Sequence, residues 1–406
     1  MSAVPLVVLL AFAPLRAQSP TRASVADTLR LSLSDAVSLA QRQSDEVGIA
    51  AARAEVAGAR LGAARANTLP QLRLNSTYTH VYESARGQAV GSVFNQPNTY
   101  SISANLSQTF FQGGKLLNAT RSASEAREAA RYDEREQVAL ITLDVQRAYL
   151  QALYAARIAA IQDTNLTLAT SRLVQVEQFE RAGQAARYDV LRARVERANI
   201  EPLALQAHSD EELALLDLKR VLNVPIEQPV ALTSQINADS AATVLAELAD
   251  PAAVIDRAAV RSAELTLAAR RLDISVARAD YFPTVSAFIQ SGYSAFPAPG
   301  QGFPMARGTL AESFCPTGSA SGRLCQNGGF FSDRQAGVNI SFPLFDGFRV
   351  KSNVDLAQAQ ERLAELELRQ QRESVAVEAA RARAELRRAQ AVFAARQQNS
   401  AEAAEA

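Results

Sequence analysis

The chain has 406 residues and a formal net charge of zero, so it carries no basic excess on which to build a nucleic-acid partner. Apolar residues are plentiful, but Ala supplies much of them and Trp is absent; that balance suits close helix packing better than a thick globular core. The only histidines are His80 and His208, so no HExxH or paired-His spacing arises, and no GxxxxGK[ST] loop is present. An enzyme and a bound cofactor are both unexpected.

In chain order, residues 1–17 read as a signal peptide. The apolar run 4–13 is too short to span a bilayer but has the length of a secretory core, with cleavage expected after Ala17. The usual basic residues before that core are missing, and Arg16 follows it. Residues 32–66 show a helical period, with Ser34 and Asp35 as a cap, and the pattern ends at Leu69-Pro70. From there, residues 71–82 alternate with period two. Leu72, Leu74, Tyr78 and Tyr82 take one face, while Gln71, Arg73, Asn75, Thr77 and Thr79 take the other. Residues 99–111 repeat the alternation, with Tyr100, Ile102, Ala104, Leu106 and Phe110 on the apolar side. Strands of ~10–12 residues are long enough to cross a bilayer.

After Gly113 the period returns to 3.6. A helix is expected over 114–181, with a small-residue seam through Val138, Ile141, Val145, Ala148, Ala152, Ala156 and Ala159. At 1.5 Å per residue it would be about 100 Å long. A turn over 182–186 leads into a returning helix over 187–222, where Pro202 is expected to kink or split it against the carbonyl of Ala198. Residues 224–250 read as a linker. A helix over 251–281 then closes at Phe282-Pro283, strands follow over 284–293 and 335–345, and Gly347 opens a helix over 348–406. The later strands place Val285, Ala287, Ile289 and Tyr293 on one side, and Val338, Ile340, Phe342 and Leu344 on one side. Between them, Cys315 and Cys325 sit in a Gly/Ser-rich loop, as a disulfide in an oxidising compartment or as two thiols. No metal site is expected.

One unit is therefore written twice, in a first repeat over 18–223 and a second over 251–406. The stretches TFFQGGKLLNA at 109 and PLFDGFRVKSN at 343 are the same strand-to-helix joint, 234 residues apart. Four strands do not close a barrel, and open edges in lipid leave backbone groups unpaired at several kcal/mol each. If the strands lie in a membrane, several chains share one barrel; three would supply twelve strands. The long helices are too charged to be in lipid and belong in water.

With its duplicated helix–hairpin–helix unit, its exits at Pro70 and Pro283, its joints at Gly113 and Gly347, and AGQAARYDVLRA at 182–193, the chain resembles the TolC-like outer-membrane efflux proteins over residues 32 to 400. The resemblance implies an α+β channel-tunnel. Four strands per chain join a shared barrel, twelve-stranded in a homotrimer, above a periplasmic α-helical coiled-coil barrel. It implies an outer-membrane exit duct with a periplasmic extension, set in outer-membrane lipid and working with a periplasmic adaptor and an inner-membrane pump in efflux or type I secretion. It makes Gly183 the turn residue at the tip and Asp189 a gate or pore-facing carboxylate, and Arg181, Arg187 and Tyr188 are expected beside them by their nearness to the turn over 182–186. Asp189 reads equally as the cap of the returning helix.

Two departures stand out, the missing second tip and Pro202, where the helix of the resembled family is normally uninterrupted. The 234-residue interval puts a second tip turn near position 417, past Ala406, so the last helix is expected to stop short of its turn. No Cys follows the cleavage site, so a lipid anchor is not expected. The competing reading is a soluble periplasmic coiled-coil scaffold whose hairpins pair in a small sheet.

Overall fold

The computed structural model describes residues 28–83, 85, 98–234, 257–297, 303 and 330–405. Its elements are β1 (Leu29–Leu31), α1 (Leu33–Gln43), α2 (Asp45–Ala66), β2 (Gln71–His80), β3 (Asn98–Gln112), α3 (Lys115–Arg181), α4 (Arg187–Leu222), β4 (Val230–Leu232), α5 (Ala258–Arg278), a 3-10 turn (Ala279–Tyr281), β5 (Thr284–Ala295), β6 (Phe330–Ser341) and α6 (Arg349–Glu405). The expected signal peptide, Cys315, Cys325 and most of the 224–250 linker lie outside the described residues.

Several expected boundaries change. The single helix over 32–66 is two, broken at Ser44, whose backbone is extended at ψ 127. The cap is Ser32, not Ser34: the Ser32 hydroxyl accepts from the Asp35 N–H at 3.2 Å, and the Asp35 carboxylate accepts from the Ser32 N–H at 3.3 Å. This reciprocal pair is a capping box, and the hydrogen bonds from Ser32 hold the Asp35 carboxyl below its ordinary range. The helix expected over 251–281 is described from Ala258, with Arg257 as its N-cap. Pro202 does not split the returning helix, because α4 runs through it unbroken. The last strand lies earlier than 335–345, since Pro343 has no N–H for the ladder; Phe342, Leu344 and Phe345 fall beyond it. Within the expected linker, β4 pairs in parallel with β1, an element that three-residue stretches are too short to announce.

The chain divides into two compact units, 1–45 with 140–240, and 46–139 with 241–406. The first is built on a cluster of Leu31, Ala36, Ala40, Val145, Tyr149, Ala152, Leu218 and Leu222. Small side chains at 36, 40 and 152 let helices approach closely, and Tyr149, fully buried, fills the remaining space. Its hydroxyl donates to the Leu31 carbonyl at 2.9 Å and accepts from the Ser234 N–H at 3.1 Å.

The second unit holds one four-stranded antiparallel sheet in the order β2-β3-β5-β6. The register aligns Leu72, Leu106, Ile289 and Ala336 in one row and Arg73, Asn105, Gln290 and Gln335 in the next. Successive residues point to opposite faces, so the rows build one apolar and one polar face. A bulge between Thr109 and Phe111 sets Phe111 opposite Val285; the sequence period alone had favoured Phe110. Beside the sheet, α5 packs on α6 through Val260, Leu267, Ala364, Leu368 and Val375. Three ion pairs flank that seam: Arg271 with Glu361 at 3.2 Å, Arg372 with Glu264 at 2.7 Å, and Arg257 with Glu378.

Candidate functional site

The tip turn forms where α3 ends. The Gln184 N–H donates to the Phe179 carbonyl at 2.7 Å and the Gly183 N–H to the Glu180 carbonyl at 2.9 Å. Those two bonds, with Gly183 at φ +73, make a Schellman ending. The chain re-enters a helix at Ala186, whose N–H donates to the Asp189 carboxylate at 3.2 Å. Asp189 thus closes the first turn of α4, and Ala186 has no side-chain acceptor to return the bond. Arg181, Arg187 and Tyr188 are exposed, and among the described residues neither Arg forms an ion pair. The charge contacts between the hairpin's two helices lie further along: Arg194 with Glu177 at 3.3 Å and Arg172 with Glu196 at 3.7 Å. Together with Asp189 and Arg192, Arg172 and Glu196 line a shallow cleft of about 280 Å³. Sequence reasoning missed these pairs because their partners are 17 to 24 residues apart across the turn.

A third contact on the same hairpin titrates. The His208 Nε2 lies 3.0 Å from Asp163 on the facing helix, and its Nδ1 lies 3.6 Å from Glu211. Hydrogen bonding to Asp163, reinforced by the charges of both carboxylates, holds the His208 imidazolium above the ordinary histidine range. A raised folded-state value makes the contribution complete below the unfolded value, about 6.5, and removes it as pH rises through the folded one. Thermal melts between about pH 5 and 8 should therefore fall toward the alkaline side, and His208→Gln should flatten that slope. Equal slopes in both proteins would refute the contribution.

At the strand-to-helix joints both copies repeat their backbone. Gly113 and Gly114 have φ +56 and +77, and Gly347 and Phe348 have φ +68 and +65. Phe348 thus stands in the left-handed conformation that Gly114 supplies in the first copy. The joints differ in their surroundings: a Cβ on Gly113 would lie 2.7 Å from the Ala279 carbonyl oxygen, whereas one on Gly347 would meet open space. Lys115 pairs with Asp280 at 2.7 Å beside the first joint, and at the second the Val350 N–H donates to Asp346 at 2.8 Å. Pro70 and Pro283 stand immediately before β2 and β5.

The sheet leaves its apolar face uncovered. Leu72 and Leu74 are each 72% exposed, Val338 66% and Ile340 68%. At the end remote from the helix joints, Tyr78 stacks on Tyr100 with centroids 4.9 Å apart, and Phe303 bridges Tyr100 and Phe330. An exposed apolar band crowned by aromatics is the pattern of a membrane-facing sheet. The outer membrane efflux protein family model matches residues 36–224 and 251–406, one match per repeat.

The chain belongs to the outer membrane efflux protein family. It is 29% identical over 273 residues to the pyoverdine export outer membrane protein OpmQ of Pseudomonas aeruginosa, covering 63% of this chain and 56% of that protein. It is 26% identical to protein CyaE of Bordetella pertussis over 89% of this chain and 70% of that one. The solved outer membrane protein VceC of Vibrio cholerae superposes with a TM-score of 0.63 at 19% identity, over 84% of this chain and 75% of that one. The chain spans little more than half the length of the OpmQ relatives. The fold is thus that of the outer-membrane channel-tunnels, and membership of the efflux protein family places the chain among outer-membrane proteins of Gram-negative bacteria.

Proposed function

We propose that this efflux-family chain is the outer-membrane exit duct of a multipartite export system, a passive channel through which an inner-membrane pump drives its cargo by way of a periplasmic adaptor. The observation that carries the reading is the four-stranded sheet, apolar on one exposed face and polar on the other, whose edge strands β2 and β6 have no outer partner among the described residues. Lipid does not tolerate such edges, so copies of the chain close the sheet, and three give an even twelve strands. The polar rows then line a lumen of hydroxyl and amide groups, with Arg73 and Asp333 as its charged residues among the described strands. Asp189 serves first as helix cap; Gly183, Arg181, Arg187 and Tyr188 present the exposed tip to the adaptor and the gate. The pyoverdine-export relatives favour a small exported molecule as cargo.

Detergent-extracted protein is expected to migrate as a heat-modifiable trimer and to open discrete conductances in planar bilayers. A monodisperse single chain in plain buffer, with no affinity for vesicles, would end the proposal.

A further inference from the structure

The apolar face of the sheet carries one patch that its neighbours do not explain. Register places Arg334 on β6 directly opposite Ser291 on β5, and Ser332 directly opposite Tyr293. These positions share the face of Leu74, Ala104, Ile289, Val338 and Ile340. Arg334, Ser291 and Ser332 are exposed, and Tyr293 is half-buried. An arginine set among aliphatic residues on a lipid-facing surface is costly and therefore a functional candidate.

Its counter-charge does not come from the sheet. Arg334 forms no ion pair among the described residues. The only carboxylate in the four strands is Asp333, one residue away and so on the opposite face. Closing the barrel with another copy does not supply one either, because the edge strand β2, QLRLNSTYTH, contains no acidic residue. With no carboxylate on this face among the described strands, an anionic group of the surrounding membrane is the counter-charge that the position invites. Arg334 lies four residues from the start of β6, about 13 Å along the strand, on the side toward the aromatic group of Tyr78, Tyr100 and Phe330. From there a long side chain reaches toward the headgroups while its stem stays among the apolar neighbours.

We propose that Arg334, with the hydroxyls of Ser291, Ser332 and Tyr293, forms a docking site for the phosphate of an anionic lipid headgroup on the outer face of the sheet. The guanidinium supplies a planar fork to two phosphate oxygens, and the hydroxyls supply single donors around it. The proposal rests on the membrane-barrel reading above.

The test uses the full chain, purified in mild detergent and exchanged into phosphatidylcholine bilayers with or without lipid A as the probe. Lipid retained per trimer is counted by native mass spectrometry after a detergent wash. Wild type is expected to retain lipid A, Arg334→Gln to retain about tenfold less, and Arg334→Lys to fall between them. Ser332→Ala, which keeps the charge, should weaken retention by a smaller factor. Equal retention by wild type and Arg334→Gln, with both running as heat-modifiable trimers, overturns the lipid site and leaves the barrel reading standing. If wild type forms no such trimer, the barrel reading fails and the site goes with it. If only Arg334→Gln misassembles, the Lys and Ser332→Ala variants decide: retention equal to wild type in both overturns the proposal.

Discussion

Replacing Gly113 with alanine is expected to destabilise the sheet-bearing unit by about 2–5 kcal/mol. Two costs coincide there. The backbone sits at φ +56, where an L side chain is strained. The added Cβ would also lie 2.7 Å from the Ala279 carbonyl oxygen and 2.9 Å from the Phe282 side chain. Neither neighbour is the free end of a flexible chain, so relief requires moving the 3-10 turn and with it the Lys115–Asp280 ion pair. Gly347→Ala is the matched control: its φ is +68 but a Cβ there meets nothing. Strain alone remains, about 1–2 kcal/mol. Chemical denaturation in detergent, followed by the helical signal, should separate the two variants clearly. Equal losses would mean that contact with Ala279 and Phe282 is not what fixes the first joint.

That contrast marks how far the sequence could be read. The joints were legible because the period switches from two to 3.6 at a glycine, and because the same switch recurs 234 residues later. The faces of the four strands were legible for the same reason, as alternation survives on both sides of a membrane-type sheet. What lay hidden was set by partners distant in sequence. The difference between Gly113 and Gly347 depends on Ala279 and Phe282, which no local pattern reveals. The break at Ser44 interrupts a run whose helical period continues on both sides, and Asn223 donates to the Gln43 carbonyl at 3.1 Å and to the Asp45 side chain at 3.3 Å across it. At the tip, Gly183 announced its turn, but whether Asp189 caps or gates depended on where its carboxylate lay, and it lies on the Ala186 N–H. Arg334 escaped notice because the expected strand began at 335, whereas β6 starts at Phe330 and so carries Arg334 onto the face of Val338 and Ile340.

The second large effect belongs to Tyr149, whose position in the seam of α3 gives no hint of its role. Its ring is fully buried among Val145, Ala152, Leu218 and Leu222, so Tyr149→Ala should cost about 3–5 kcal/mol by cavity formation and lost contact. The more informative change is Tyr149→Phe, which keeps the packing and removes one oxygen. That oxygen serves two backbone groups: it donates to Leu31 and accepts from Ser234. The Leu31 carbonyl also accepts from the Thr233 N–H at 2.9 Å. The hydroxyl therefore joins the ends of β1 and β4, a ladder of only three residue pairs that is too short to hold by itself. Leaving the half-buried Ser234 N–H without its acceptor and the buried Leu31 carbonyl with one donor instead of two costs about 1–3 kcal/mol. The loss should be local. Amide exchange at Leu29 and Thr233, whose N–H groups bond across this ladder, should quicken in Tyr149→Phe, while the β5–β6 amides of the other unit keep their protection. If Leu29 and Thr233 exchange at the wild-type rate, the hydroxyl is a passenger in an apolar core, and the short parallel ladder is held by its side chains alone.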